Sequence, residues 1–300
     1  VAPYLELSLK LIDKSRVKSI FNYSFFTFVI QIGNRLRFGI DNFLIAGFVG
    51  MGFVTVYSIA ARLIAYFTKF IASAVGVMIP VFSQYEGRDD YNSIRQKFIL
   101  MTKISSYLSI FVGGALIVFG DAFIERWLGK EYSTAYPLLL ILVVPTIFAL
   151  MQTPSLQLLY GISKHKFHAI VNSIEGVANL ILSLILVQKF GLIGVALGTA
   201  IPMAITKLFV QPMYTCKVIK LDISKYYLEV IIPIVVKSVS IFIILGWLSK
   251  IFIMPNYLNL VILSVSNLII FSAAVFLMGL NNEERAYFKK IALSSKSIRG

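Results

Sequence analysis

The chain has 300 residues, 58% of them hydrophobic and 14% charged, and a formal net charge of +14. A soluble domain carries roughly a quarter of its residues charged, so long charge-free stretches in a chain this poor in charge exclude a soluble fold. The basic excess lies between apolar runs long enough to cross a bilayer, a pattern of membrane-protein loops and not of a nucleic-acid-binding face.

A membrane span needs about 20 apolar residues. Eight such runs follow one another: Ile20 to Val49, Phe53 to Pro80, Phe98 to Phe119, Tyr136 to Tyr160, Ala169 to Val187, Ile193 to Tyr214, Val230 to Leu248 and Leu258 to Leu280. The expected fold class is all-α, a polytopic membrane helical bundle of about eight transmembrane helices. Strand-type alternation is absent, which argues against a β-barrel. The first two runs exceed the bilayer, so tilt, kinking or protrusion is expected there. The stretch from Val81 to Lys97 mixes both charge signs and reads as a solvated connector. Residues 281–300 place Tyr287, Phe288 and Ile291 beside Lys289 and Lys290, the composition of an interfacial helix on anionic lipid.

Orientation follows from the basic residues of the loops. One side collects Lys10, Lys14, Arg16 and Lys18, then Arg88, Arg95, Lys97 and Lys103, then Lys164 and Lys166. It also holds Lys217, Lys220 and Lys225, and finally Arg285, Lys289, Lys290, Lys296 and Arg299. The other side has Arg126, Lys130, Lys189 and Lys250. The bias alternates loop by loop and predicts that both ends of the chain are cytoplasmic.

Ionisable residues inside the spans carry the functional information, because a charge at the bilayer centre costs at least ~2.5–3.5 kcal/mol. The first span places Asn34, Arg37 and Asp41 on one helical face, and the second does the same with Arg62, Tyr66 and Lys69. The fifth adds Asn172, Glu175 and Asn179 at the same type of spacing. Pairing of Arg37 with Asp41, and helix-to-helix bonds from the asparagines, would account for some of these. Arg62 and Lys69 have no acidic residue on their own helix. Cations in excess of anions read as the lining of a cavity for a negative ligand. Lys207 and Lys237 lie near the cytoplasmic ends of their spans and are expected to snorkel. Pro80, Pro145, Pro154, Pro202 and Pro212, with Gly113, Gly114, Gly191, Gly194 and Gly198, punctuate the spans as kinks and hinges do in transporters. The single cysteine, Cys216, and the two histidines, His165 and His168, are too few for a metal centre; no cofactor and no catalytic residue is expected.

Four stretches resemble a known family in order along the chain: DNFLIAGFVGMGFVTVYSIAARL from Asp41, IPVFSQYEGRDD from Ile79, WLGKEYSTAYPLLLIL from Trp127 and FGLIGVALGTA from Phe190. Together they are similar to the Wzx-type oligosaccharide-lipid flippases, relatives of the MATE exporters and lipid II flippases. The resemblance implies two six-helix lobes and alternating access, moving a polyprenyl-pyrophosphate-linked oligosaccharide across a bacterial cytoplasmic membrane. It implies that residues 20–214 form the second lobe and 215–280 two additional helices, behind a cytoplasmic segment over 1–19. The first lobe would be missing, in keeping with a chain that begins at Val1. Arg37, Arg62 and Lys69 would then contact pyrophosphate or acidic sugars, with Tyr66, Asn34, Asn172 and Asn179 lining the same cavity. Asp41, at an acidic position of the family, and Glu175, from its burial, are candidates for a coupling proton or sodium ion. The implied partners are the lipid-linked oligosaccharide, membrane lipids, the missing lobe and polysaccharide-assembly proteins.

Two other functions compete. A drug or metabolite exporter of the same superfamily predicts a less cationic cavity. A membrane-embedded polymerase or glycosyltransferase predicts a large outer loop or acidic pairs, and the outer carboxylates are Asp121, Glu125 and Glu131 in one short loop.

Overall fold

The computed structural model describes residues 39–76 and 78–251, together with positions 21, 24, 25, 28, 265, 266 and 269–271. Every regular element among them is helical. The elements are α1 (Gly39–Phe48), α2 (Met51–Val75), α3 (Ile79–Glu86), α4 (Tyr91–Leu128), α5 (Ala135–Met151) and α6 (Thr153–Gly161). They continue with α7 (Lys166–Ile205), α8 (Gln211–Val218), α9 (Ile223–Lys225) and α10 (Ile232–Ile251). A short 3₁₀ turn, Lys130–Tyr132, joins α4 to α5, and π-helical segments Thr206–Val210 and Tyr226–Ile231 lead into α8 and α10. The protein is a multi-pass membrane bundle: α2, α4, the α5–α6 pair, the α7–α8 run and the α9–α10 run are each long and apolar enough to cross a bilayer.

The α7–α8 run of 53 residues would be roughly 80 Å long as one straight helix. It instead folds back at Gly191, whose φ of 54° and ψ of −129° break the helix. A positive φ is accessible to glycine at little cost. The two arms then pack closely. A Cβ on Gly194 would collide with the Leu186 carbonyl oxygen, and one on Gly198 with Ser183 Oγ and the Ser183 backbone nitrogen. Small residues one turn apart let membrane helices approach to backbone contact. The fifth and sixth predicted spans are therefore the arms of one antiparallel hairpin.

Three sequence expectations are corrected, and one expected kink is located. The second span ends at Val75, not Pro80, because Gly76 leaves the helix at φ 71°. Pro80 sits in the first turn of α3, where its missing N–H is harmless. The supposed connector 81–97 is thus mostly helical, and Phe82 in it is fully buried. The fourth span bends at Gln152, between α5 and α6, before Pro154. Lys207 does not snorkel, as described below. The first span is described only in α1 and a few positions before it, and the eighth span and the tail lie mostly or wholly outside the described residues.

Two apolar clusters hold the bundle. One packs Tyr57, Ile64, Phe67 and Ile71 of α2 against Leu138, Leu139, Leu142 and Val143 of α5 and Val187 and Val195 of α7. The second lies toward the basic end and joins Phe82, Phe98, Leu158 and Tyr226, with Phe98 stacked on Tyr226 at 5.8 Å. There the Arg95 guanidinium donates to the carbonyl oxygens of Ile219 (3.3 Å) and Lys220 (3.2 Å), a cation just past the C-terminal end of α8.

Candidate functional site

The predicted polar residues separate into two groups on opposite sides of α2. The helix buries Ala60, Ile64, Phe67 and Ile71, about 170° around its axis from Arg62, Tyr66 and Lys69 at 100° per residue. These three are exposed, Tyr66 at 56%. Arg62 is eleven residues into α2 from Met51, roughly 16 Å by helical rise. Lys69 lies six residues from Val75, nearer a helix end than a span reaching Pro80 would put it. Along the axis the two cations are roughly 10 Å apart, with the Tyr66 ring between them. Asn34 and Arg37, expected on the same surface, lie outside the described residues.

The second group is buried inside the bundle. Asp41 of α1 is 1% exposed. Its Oδ2 accepts from the Tyr57 hydroxyl at 2.5 Å and from the Thr199 hydroxyl at 3.0 Å. Asn179 Nδ2 donates to Thr199 Oγ1 at 3.1 Å, and Ser183 Oγ donates to Asn179 Oδ1 at 2.9 Å. The Val195 carbonyl is 3.4 Å from the same Ser183 hydroxyl. This network ties α1, α2 and both arms of α7 through one carboxylate and a set of neutral oxygens. Hard monovalent and divalent cations favour such oxygen ligands. Among the described residues no group of three or more His, Cys, Asp or Glu side chains could hold a metal ion.

Lower in the hairpin, Glu175 is also 1% exposed. Its Oε2 accepts from Thr206 Oγ1 at 2.5 Å and lies 3.4 Å from Lys207 Nζ. Lys207, expected at the membrane surface, is 6% exposed; the carboxylate facing it supplies the counter-charge that makes burial tolerable. The ammonium also donates to Gln211 Oε1 at 3.2 Å, and Gln211 Nε2 donates to the Gln152 carbonyl at 3.2 Å. Gln152 and the Tyr226 hydroxyl meet at 3.0 Å, so the network continues from the hairpin through the α5–α6 bend to the α9–α10 run. Asn172 and Asn179 are buried on the same α7 face as Glu175, inside the bundle and away from Arg62.

Tyr57, Ser183, Thr199, Thr206 and Gln211 are not singled out by the sequence, and Lys207 is singled out there only as a snorkelling residue. One signal existed for the last arm. Folding the chain at Gly191 sets Glu175, sixteen positions before it, opposite Thr206 and Lys207, fifteen and sixteen after it.

Residues 4–137 match the family described as polysaccharide biosynthesis protein. The chain is 27% identical over 201 residues to the "Probable low-salt glycan biosynthesis flippase Agl15" of Haloferax volcanii, covering 67% of this chain and 43% of that protein. It is 26% identical over 229 residues to the teichuronic acid biosynthesis protein TuaB of Bacillus subtilis, covering 75% and 46%. The chain thus spans about half the length of the curated relatives it matches. In fold it is similar to the lipid II flippase MurJ in an inward closed conformation, with a TM-score of 0.66 at 18% identity over 88% of this chain and 56% of the other. The resemblance to the oligosaccharide flippases, read first from four short stretches, holds across these comparisons.

Proposed function

We propose that this chain is the later half of a flippase that carries a polyprenyl-pyrophosphate-linked oligosaccharide across the cytoplasmic membrane by alternating access. The observation that carries the reading is the exposed cationic face of α2. Arg62 lies at mid-length of a span whose opposite face is packed into the bundle. A guanidinium facing lipid at that depth costs at least ~2.5–3.5 kcal/mol, whereas one facing a water-filled cavity keeps its hydration until a pyrophosphate takes its place. Arginine suits that ligand because its planar fork matches phosphate oxygens. The relatives' names, a glycan flippase and a teichuronic acid biosynthesis protein, support a glycan cargo.

In this reading residues 20–214 are one six-helix lobe and 215–280 two further helices, with the basic end cytoplasmic. The other wall of the cavity comes from a first lobe outside this chain. Tyr66, exposed between the two cations, extends the substrate surface. The Asp41 network takes the coupling cation: its oxygens come from α1, α2 and both arms of α7, so filling or emptying it biases how those helices pack. Asn179 belongs to that seat, and Asn172 continues its face toward Glu175. The test is complementation with the full-length protein: Arg62→Ala and Lys69→Ala should each lower surface glycan at unchanged protein level. Wild-type surface glycan in both variants would remove the cavity assignment.

A further inference from the structure

Lys207 and Glu175 form an ion pair whose side chains are 7% and 1% exposed, within the hairpin of a membrane bundle. The backbone is irregular at that pair. From Thr206 to Val210 the chain is π-helical, and π segments inside helices are frequent at functional sites. Here consecutive residues, Thr206 and Lys207, both reach Glu175 Oε2. Gln211 closes the arrangement. Its amide nitrogen is held by the Gln152 carbonyl, so its oxygen faces the ammonium at 3.2 Å.

We propose that Glu175, Thr206 and Gln211 form a seat for a small monovalent cation, and that the chain fills it with its own tethered ammonium, Lys207. The physical reason is the asymmetry of buried charge pairs: stripping one partner leaves the other uncompensated in a low-dielectric interior. A carboxylate so stripped, and already surrounded by oxygen ligands, takes a cation from solution. With Lys207 in place, this level of the hairpin needs no exchangeable ion, and ion dependence is left to the Asp41 network. The inference concerns a different carboxylate from the proposed coupling seat and stands or falls separately from it.

The experiment uses the full-length protein, purified in detergent, with its melting temperature followed as choline is replaced by sodium or methylammonium at constant ionic strength. Lys207→Ala opens the seat; Lys207→Ala with Glu175→Gln removes both charges; Lys207→Arg keeps a tethered cation. The expected result is a cation-dependent rise of roughly 2–4 °C in Lys207→Ala beyond that of the wild type, absent from the double variant and from Lys207→Arg. The proposal is overturned if Lys207→Ala responds as the wild type does, or if the rise persists without the Glu175 carboxylate. It is also overturned if Lys207→Ala folds in none of the cations, whether or not the double variant folds, since the pair would then serve packing alone. A cation effect common to all variants belongs to Asp41. Its absence from the wild type would count against that assignment and leave this test intact.

Discussion

Thr199 and Tyr57 both donate to a single oxygen, Oδ2 of Asp41, at 3.0 and 2.5 Å, and so join the α7 hairpin to the first two described helices. A carboxylate at such a junction changes helix packing when it changes ligand. Asp41→Asn keeps the shape and removes the charge. The expected outcome is loss of the wild type's sodium- or proton-dependence of transport, measured as flipping rate under an imposed ion gradient, with the folded protein still recovered. Undiminished ion dependence in Asp41→Asn would rule out this carboxylate as the coupling site.

The hairpin depends on two glycines. Gly198→Ala would drive a methyl group against the Ser183 backbone, and Gly194→Ala would do the same at the Leu186 carbonyl. The arms must separate to admit either one, at a cost of about 1–3 kcal/mol each. Chemical or thermal denaturation should show that loss, and a neutral Gly198→Ala would mean that the arms are not in backbone contact. Gly47 and Gly52, where an added Cβ meets nothing within 4 Å, serve as controls.

The break between α2 and α3 is held by a side chain. Gln157 Nε2 donates to the Gly76 carbonyl at 2.8 Å, and Gln157 Oε1 accepts from the Met78 amide at 2.7 Å. Gln157→Ala leaves both backbone groups without these partners; the bonds are half-buried, so each is worth about 0.5–1.5 kcal/mol. Hydrogen exchange at Met78 should accelerate in Gln157→Ala. Gln157→Glu, which keeps the acceptor and loses the donor, should fall between. Unchanged exchange would show that the break is held by other contacts.

Much of this architecture was legible in the sequence. Length and apolarity located the helices, and the 3.6-residue period placed Asn172, Glu175 and Asn179 on one face, which the structure buries together. Charge at mid-span singled out Arg62. The failures have physical causes. Pro80 at the end of an apolar run suggests a helix end, yet proline is as well suited to begin a helix, and the break itself comes from Gly76. Distance from a helix end suggests a snorkelling Lys207, but that distance takes no account of a carboxylate arriving from the other arm. Tyr57, Ser183 and Thr199 give no local signal, because hydroxyl residues are common in membrane helices and matter here only through partners distant in sequence.

Acid should weaken the start of α4. Hydrogen bonding to the Ser93 side chain, and then to the Ser93 amide at 3.0 Å, holds the Asp90 carboxyl below the usual aspartate range. A carboxylate depressed in the folded state contributes its stability in full above its unfolded pKa and loses it as pH falls through the folded value. Asp90→Asn should therefore flatten the acid limb of melting temperature against pH, with little change near neutrality. An acid limb identical to that of the wild type would show that the cap is unimportant to stability.

The central claim, that the exposed cations of α2 handle the anionic part of a lipid-linked glycan, is tested most directly by flipping in vesicles. The full-length protein would be reconstituted with a polyprenyl-pyrophosphate-linked oligosaccharide, and the fraction reaching the outer leaflet measured with a membrane-impermeant glycan-modifying probe. The wild type should transport, the Arg62→Ala, Lys69→Ala double variant should be at least tenfold slower, equivalent to about 1.4 kcal/mol or more, and Arg62→Lys with Lys69→Arg, which keep the charges, should recover much of the rate. Transport by the double alanine variant at the wild-type rate would contradict the claim.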